Sequence, residues 1–344
     1  MSLEIAQDAA AAPAVAPTES LPTVSVLLPN YNHAQFIGTA LSALTAQTRP
    51  PFEIVVVDDA STDDSIAVIE SFIDELPQLR LLRNPRNLGV NGTLNRALRE
   101  AQGTHIVSSA ADDWLEPEFI ARLSEAVAAH PEGRICVSNY VQYYEAENRR
   151  VYHQGDSDLG PWYAADGPQY FSPDEFRRLL KRGFVWLPLN AALVDRAAFL
   201  AVGGYDDRLR WHADWFANYT LAFRYGFTVV PEPLSVFRMG STSYSTTGMR
   251  NPRRQRQVCA AICEKLNEPE FADIREALRT HPVAFSACFR ELMQVLAMRP
   301  REWPFLGSLA RWWLNEVCHG RRPRILRDLT AKFGNLPYSN KIQA

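Results

Sequence analysis

Between Val24 and Ser108 the chain repeats one pattern, a short and largely apolar run followed by an amphipathic stretch. The runs are Val24–Leu28, Ile54–Val57, Leu79–Leu82 and His105–Ser108. Their length and their Val, Ile and Leu content are those of buried strands. Between them Phe36, Ile37, Leu41 and Leu44 fall at helical spacing, as do Ile66, Ile69 and Ile73, and Leu94 and Leu98. The order is βαβαβαβ, and right-handed crossovers between such strands make the sheet largely parallel. The expected class is α/β, a three-layer α/β/α sandwich around a mostly parallel central sheet.

An open parallel sheet binds ligands beyond the carboxyl ends of its strands. The residues that follow the strands here are Pro29-Asn30-Tyr31-Asn32, Asp58-Asp59-Ala60-Ser61 and Ala110-Ala111-Asp112-Asp113. Three segments thus converge on one edge, and two bring paired carboxylates. Taken alone, Asp112-Asp113 ahead of Glu116-Pro117-Glu118 also reads as a charged turn opening a helix. Two acidic pairs on one rim repel each other, however, and a cation or a hydrogen-bonding ligand relieves that repulsion. Carboxylate oxygens suit hard Mg²⁺ or Mn²⁺, which take one or two protein carboxylates and complete their shell with phosphate oxygens.

Further along, a helix is expected over Pro117–His130 and a strand over Ile135–Tyr140, followed by Tyr/Trp-rich sequence to Trp186 that suits an acceptor-side region. A turn at Gly203-Gly204 precedes a helix from Asp214 to Arg224, and residues 250–344 read as helical and basic. The expected organisation is a disordered tail over 1–20, a domain over 21–249 with halves 21–130 and 131–249, and a C-terminal helical extension over 250–344. Charge follows that division. From residue 250 onward there are 17 Lys+Arg against 9 Asp+Glu, whereas residues 1–249 hold 19 against 30. The five scattered cysteines lack the CxxC spacing of a zinc or redox site and read as reduced cytosolic thiols. No stretch reaches the roughly 20 apolar residues of a membrane span, so a cytoplasmic protein is expected. No nucleic-acid motif accompanies the basic residues, and no nucleic-acid partner is expected.

The blocks Val24-Ser25-Val26-Leu27-Leu28-Pro29-Asn30-Tyr31-Asn32, Glu53-Ile54-Val55-Val56-Val57-Asp58-Asp59-Ala60-Ser61-Thr62-Asp63, Asn87-Leu88-Gly89 with Asn95, and Asp112-Asp113-Trp114 with Pro117 occur in this order. Together they resemble the nucleotide-binding half of family 2 glycosyltransferases, the inverting group with the Rossmann-like GT-A fold. The resemblance extends more weakly to about residue 245. It implies a nucleotide-sugar donor, UDP- or dTDP-linked, and a glycan or lipid-linked acceptor in cell-surface polysaccharide biosynthesis. Residue by residue, it implies that Pro29 and Tyr31 flank the nucleobase, Asp59 contacts it, Asp112 meets the ribose and Asp113 holds Mn²⁺ or Mg²⁺. A common form of the motif has a further Asp where this chain has Ala110.

Inversion at an anomeric carbon needs a base opposite the leaving diphosphate. The resemblance implies Asp214 for that role, with Ala213 where relatives often carry Glu; helix capping is the competing reading. Arg238 reads either as a neutraliser of phosphate charge or as a structural ion pair, and Gly240 stands where relatives often have a metal-binding His. Phe305, Leu306, Leu309, Trp313 and Val317 share one helical face ahead of Arg321, Arg322, Arg324 and Arg327. Core packing and peripheral contact of 301–327 with an anionic membrane at the inner face both fit that pattern.

Other classes fare less well. The loop after the first strand lacks the glycines and positive charge with which nucleotidyltransferases hold triphosphate, and it lacks the GxGxxG of dehydrogenases. Processive synthases carry membrane spans and Gln-x-x-Arg-Trp, neither of which occurs. A nucleotide-binding, non-catalytic subunit of a glycan-assembly complex remains the alternative from another class.

Overall fold

A computed structural model describes residues 21–152, 166–240 and 244–318. The expected tail over 1–20 and the arginines beyond His319 lie outside the described residues. Strands β1 Val24–Asn30, β2 Glu53–Asp58, β3 Leu79–Arg83 and β4 His105–Ser108 alternate with helices α1 Ala34–Thr45, α2 Ser65–Glu70 and α3 Gly89–Glu100. All four strands are parallel neighbours in the order β3-β2-β1-β4. One detail differs from expectation. Helix α2 ends at Glu70, where the Ser71 hydroxyl donates back to the Val68 carbonyl, so Ile73 lies beyond the helix and is exposed.

The chain continues through β5 Trp114–Leu115, α4 Phe119–Ala129, β6 Ile135–Tyr144, β7 Arg149–Tyr152, β8 Gln169–Phe171, α5 Pro173–Leu180, β9 Ala192–Asp195, α6 Arg196–Ala201, α7 Ala213–Tyr225 and β10 Phe227–Arg238. The sheet order is β3-β2-β1-β4-β9-β6-β10-β5, with β7 added to β6 and β8 to β10. Strand β9 is antiparallel to both β4 and β6, and β10 is parallel to β6. Hence β1, β2, β3, β4, β6 and β10 all point one way, and β9 is a reversed strand set among them.

Alternation along the strands builds the two faces. Val26, Leu28, Ile54 and Val56 pack with Ile37, Leu41, Phe119 and Leu123 on one side. Leu27, Val55, Val57 and Ile106 pack on the other with Leu94 and Leu98 of α3 and Phe216 of α7. This is the three-layer sandwich. The extension follows as α8 Tyr244–Met249, α9 Pro252–Leu266, α10 Ala272–Thr280, α11 Phe289–Ala297 and α12 Trp303–Cys318. Its Val258, Ile262, Leu278, Phe285, Leu292, Phe305 and Leu309 join the same buried cluster as α3 and α7. The apolar face expected on the last helix divides, with Phe305 and Leu309 buried and Trp313 and Val317 exposed.

Candidate active site

Because six strands share a direction, their carboxyl ends form one edge. Asn30, Asp58, Ser108 and Arg238 close β1, β2, β4 and β10 on it. The reversed β9 brings its beginning there instead, with Asn190 in the turn just before it.

Strand ends β1 and β2 are tied together by side chains. Asn30 Nδ2 donates to Asp58 Oδ1 at 2.9 Å, and the Ser61 amide donates to Asp58 Oδ2 at 3.0 Å. The Ser61 hydroxyl accepts from the Asn32 amide at 2.9 Å, and Asn32 Oδ1 accepts from the Thr62 amide at 2.8 Å. Asn32 and Ala60 both adopt positive φ, 52° and 63°, to make these turns. For Ala60 that backbone is costly, and such strain gathers at functional loops.

Asp59 is buried, and three donors converge on it. Asn84 Nδ2 and the Leu88 amide reach Oδ1 at 2.7 and 2.8 Å, and the Gly89 amide reaches Oδ2 at 2.9 Å. The acidic pair that looked unpaired in the sequence therefore takes donors from its own loops on every oxygen, and Asp59 sets the start of α3. Tyr31 is exposed and Pro29 half-buried beside it on the same edge.

Asp113 is held differently. Asn190 Nδ2 donates to its Oδ2 at 2.7 Å, and the Arg238 amide donates to its Oδ1 at 2.8 Å. Burial, and then the charge of Asp112, push the Asp113 carboxyl up to about 8 against the pull of these donors and of the Arg238 charge. Arg238 Nε donates to the Asp112 carbonyl at 3.1 Å, and its guanidinium pairs with Glu145. The same group lies 4.8 Å from the ring centre of Phe36, 5.4 Å from Trp114 and 5.6 Å from Tyr143. The ion pair with Glu145 is formed, and Arg238 anchors the loop that carries both aspartates. The Asn190 contact has a faint trace in the sequence, one amide in the otherwise apolar run Val185–Val194.

Asp214 lies in the first turn of α7, whose N-cap is His212, so it is not the cap. Its Oδ1 accepts from the Trp215 amide at 2.7 Å. Its charge helps raise the buried Tyr205 hydroxyl, after burial itself, and that hydroxyl bonds Ser108 at the end of β4. The loop leading to Asp214 thus reaches that edge through Tyr205. That loop is fastened to α3, where Asn95 Nδ2 donates to the Tyr205 carbonyl at 2.6 Å and Asn91 Nδ2 to the Arg210 carbonyl at 3.0 Å.

From the other side Gln255 of α9 grips it. Gln255 Oε1 accepts from Trp211 Nε1 at 2.6 Å, and Nε2 sits 2.9 Å from His212 Nε2. Burial lowers the His212 imidazole to about 4, so it is neutral and accepts the Gln255 bond. Lys265 Nζ adds a bond to Asp206 at 3.1 Å. Neither Gln255 nor Lys265 carries any signal in the sequence.

Residues 25–188 match the model of glycosyl transferase family 2. The match spans just under half of the chain and covers β1 to β8. EpsH of Bacillus subtilis, described as a putative glycosyltransferase, is 27% identical over 165 residues, covering 48% of this chain and 46% of EpsH. The chain thus spans about half the length of that relative. Among solved structures, residues 1–349 of Staphylococcus aureus TarS in complex with UDP-GlcNAc superpose with a TM-score of 0.62 at 17% identity, over 81% of this chain and 82% of that one. The mannosyltransferase PcManGT of Pyrobaculum calidifontis, in complex with GDP-Man and Mn²⁺, gives 0.51 at 20% identity over 92% and 88%. These likenesses establish the GT-A fold. The family match stops two residues short of Asn190 and does not reach Asp214.

Proposed function

We propose that this protein transfers a sugar, with inversion, from a UDP- or dTDP-linked donor to a glycan or lipid-linked acceptor of a cell-surface polysaccharide. What supports the reading is a doubly held Asp113 beside the half-buried Asp112 at the carboxyl ends of the strands, with the loop that leads to Asp214 bonded to the end of β4 through Tyr205. Pro29 and Tyr31 flank the base in this reading, Asp59 contacts it, and Asp112 accepts from the ribose. Since three protein donors already fill Asp59, its contact with the base uses a remaining lone pair or acts through the α3 start that it sets.

The donor set suits a hard cation. Each Asp113 oxygen accepts one N–H and keeps lone-pair capacity, and an anion beside Asp112 favours a neutralising partner. When bound, Mg²⁺ or Mn²⁺ stabilises charge on the leaving diphosphate. Asp214 takes the proton of the acceptor hydroxyl as the sugar's anomeric carbon becomes oxocarbenium-like. The Gln255 and Asn91 contacts hold its loop still during that transfer.

A calorimetric panel of nucleoside diphosphates and nucleotide sugars, with and without Mn²⁺, tests the reading. Binding of one base strengthened by metal, with sugar transfer abolished by chelation, is expected. Binding without any product across the panel favours the non-catalytic subunit.

We further place the reaction in the cytoplasm, with peripheral contact at the inner membrane face through 301–327. No described helix is long and apolar enough to cross a membrane. Trp303, Trp313, Leu314 and Val317 of α12 are exposed, a Trp-bearing stripe of the kind that seats at an anionic interface. Flotation with phosphatidylglycerol vesicles, weakened by the double change Trp313→Ser and Leu314→Ser, is the expected result. No flotation of the parent protein removes the membrane contact.

A further inference from the structure

A side chain 77 positions along the sequence donates to Asp113. That donor, Asn190, is not bound loosely. Its carbonyl accepts from Ser235 Oγ of β10 at 3.1 Å, and its turn leads straight into β9, whose Ala192 pairs with Val137 of β6. The second donor, the Arg238 amide, closes that same β10. Asp113 itself leads into β5, which pairs with β10 through Trp114 with Val236 and Leu115 with Ser235. The carboxylate therefore sits in a frame of three strands, with one oxygen fixed from the start of β9 and the other from the end of β10. In its ionised form, the one that binds a cation, Asp113 only accepts, and Asn190 accordingly turns Nδ2 toward it. Two donors on opposite oxygens fix the rotation of the carboxylate plane. A carboxylate without the first donor pivots about the second.

Resting on the reading of Asp113 as a cation ligand, we propose that Asn190 is a positioning residue that fixes the Asp113 carboxylate for a small divalent cation and its bound diphosphate. A group that fixes orientation matters most to a cation with strict geometry. Mg²⁺ demands near-octahedral oxygens at short range, whereas Ca²⁺ accepts irregular shells. Loss of Asn190 should therefore weaken Mg²⁺-supported nucleotide binding much more than Ca²⁺-supported or metal-free binding, a selectivity that general loosening of the fold does not produce. Outer-shell partners of metal ligands are worth about 10- to 100-fold in metal affinity.

The experiment is calorimetric titration of the full chain with UDP, and in parallel with GDP, in Mg²⁺, in Ca²⁺ and in EDTA. Parent, Asn190→Ala and Asp113→Ala proteins are compared, with melting temperatures checking the fold. Asn190→Ser serves where the alanine variant yields no folded protein. For Asn190→Ala the expected result is at least about a tenfold loss of affinity in Mg²⁺, a distinctly smaller loss in Ca²⁺, and unchanged affinity in EDTA. Equal losses in all three media, or parent-like affinity in Mg²⁺ while Asp113→Ala has lost the metal increment, overturn the proposal alone. Absence of any metal increment in the parent overturns the reading of Asp113 and the proposal with it.

Discussion

The two places that hold the candidate carboxylates are built by different means. Asp112-Asp113 and Asp58-Asp59 sit at or just past strand ends, and their partners are amides and side chains of neighbouring strands and loops. Asp214 sits on a loop and helix start whose partners come from α3 on one side and from the C-terminal α9 on the other. The first arrangement makes position a property of the sheet. The second makes the candidate base depend on helices that a reader of the sequence would set aside as an accessory extension.

Changes on the two sides should accordingly separate donor binding from turnover. The largest effect is expected for Asp214→Asn, which keeps shape and removes basicity: turnover falls by about 10²–10⁴-fold, while calorimetry finds donor affinity retained. Near-normal turnover would strip Asp214 of its role. Asp113→Ala should lower turnover by about 10²–10³-fold and also erase the metal increment in nucleotide affinity, so that here binding and turnover fall together.

A third effect is one of pH. With the Asp113 carboxyl pushed up to about 8, protons compete with a cation below that pH. Affinity for a UDP-sugar in Mg²⁺ should rise from pH 6 toward pH 8 by up to about tenfold per unit, then level off. A flat profile in Mg²⁺, or an equal slope in EDTA, counts against cation binding at Asp113.

The smallest effect tests the second arrangement. Gln255→Leu leaves the Trp211 indole N–H and the His212 imidazole without their buried partner, at a cost of about 1–3 kcal/mol. The melting temperature should drop and turnover with it, with nucleotide affinity unchanged. Loss of nucleotide affinity would show that the two regions are not separable.

Much of the first region could be read directly. Strands β1 to β4 lie within two residues of where apolar runs predicted them, because a buried parallel strand needs such a run whatever surrounds it. The edge bearing Asp59, Asp112 and Asp113 followed from strand direction alone. What the sequence misjudged was occupancy: Asp58 and Asp59 look like free acids until Asn30, Asn84 and the amides of Ser61, Leu88 and Gly89 are seen to fill them. What it marked only faintly was Asn190, and what it left out was Gln255. Both act on residues more than 40 positions away, through single side-chain bonds that no periodicity or turn chemistry records. Ile73 shows the local limit, since three isoleucines at helical spacing did not reveal that a serine would end the helix first.

The reversed strand β9 has a consequence for assembly. It wedges between β4 and β6, which are consecutive major strands in the sequence, yet it is made only after both. During synthesis the facing edges of β4 and β6 must stay apart until residue 195 has emerged, a long loop to close and a slow kind of pairing. A fragment cut at residue 188 would hold every nucleotide-side motif and still lack the strand that joins the two halves of the sheet. Its bare edges of β4 and β6 would invite pairing with other chains, and its Asp113 would have lost both donors, the Asn190 side chain and the Arg238 amide.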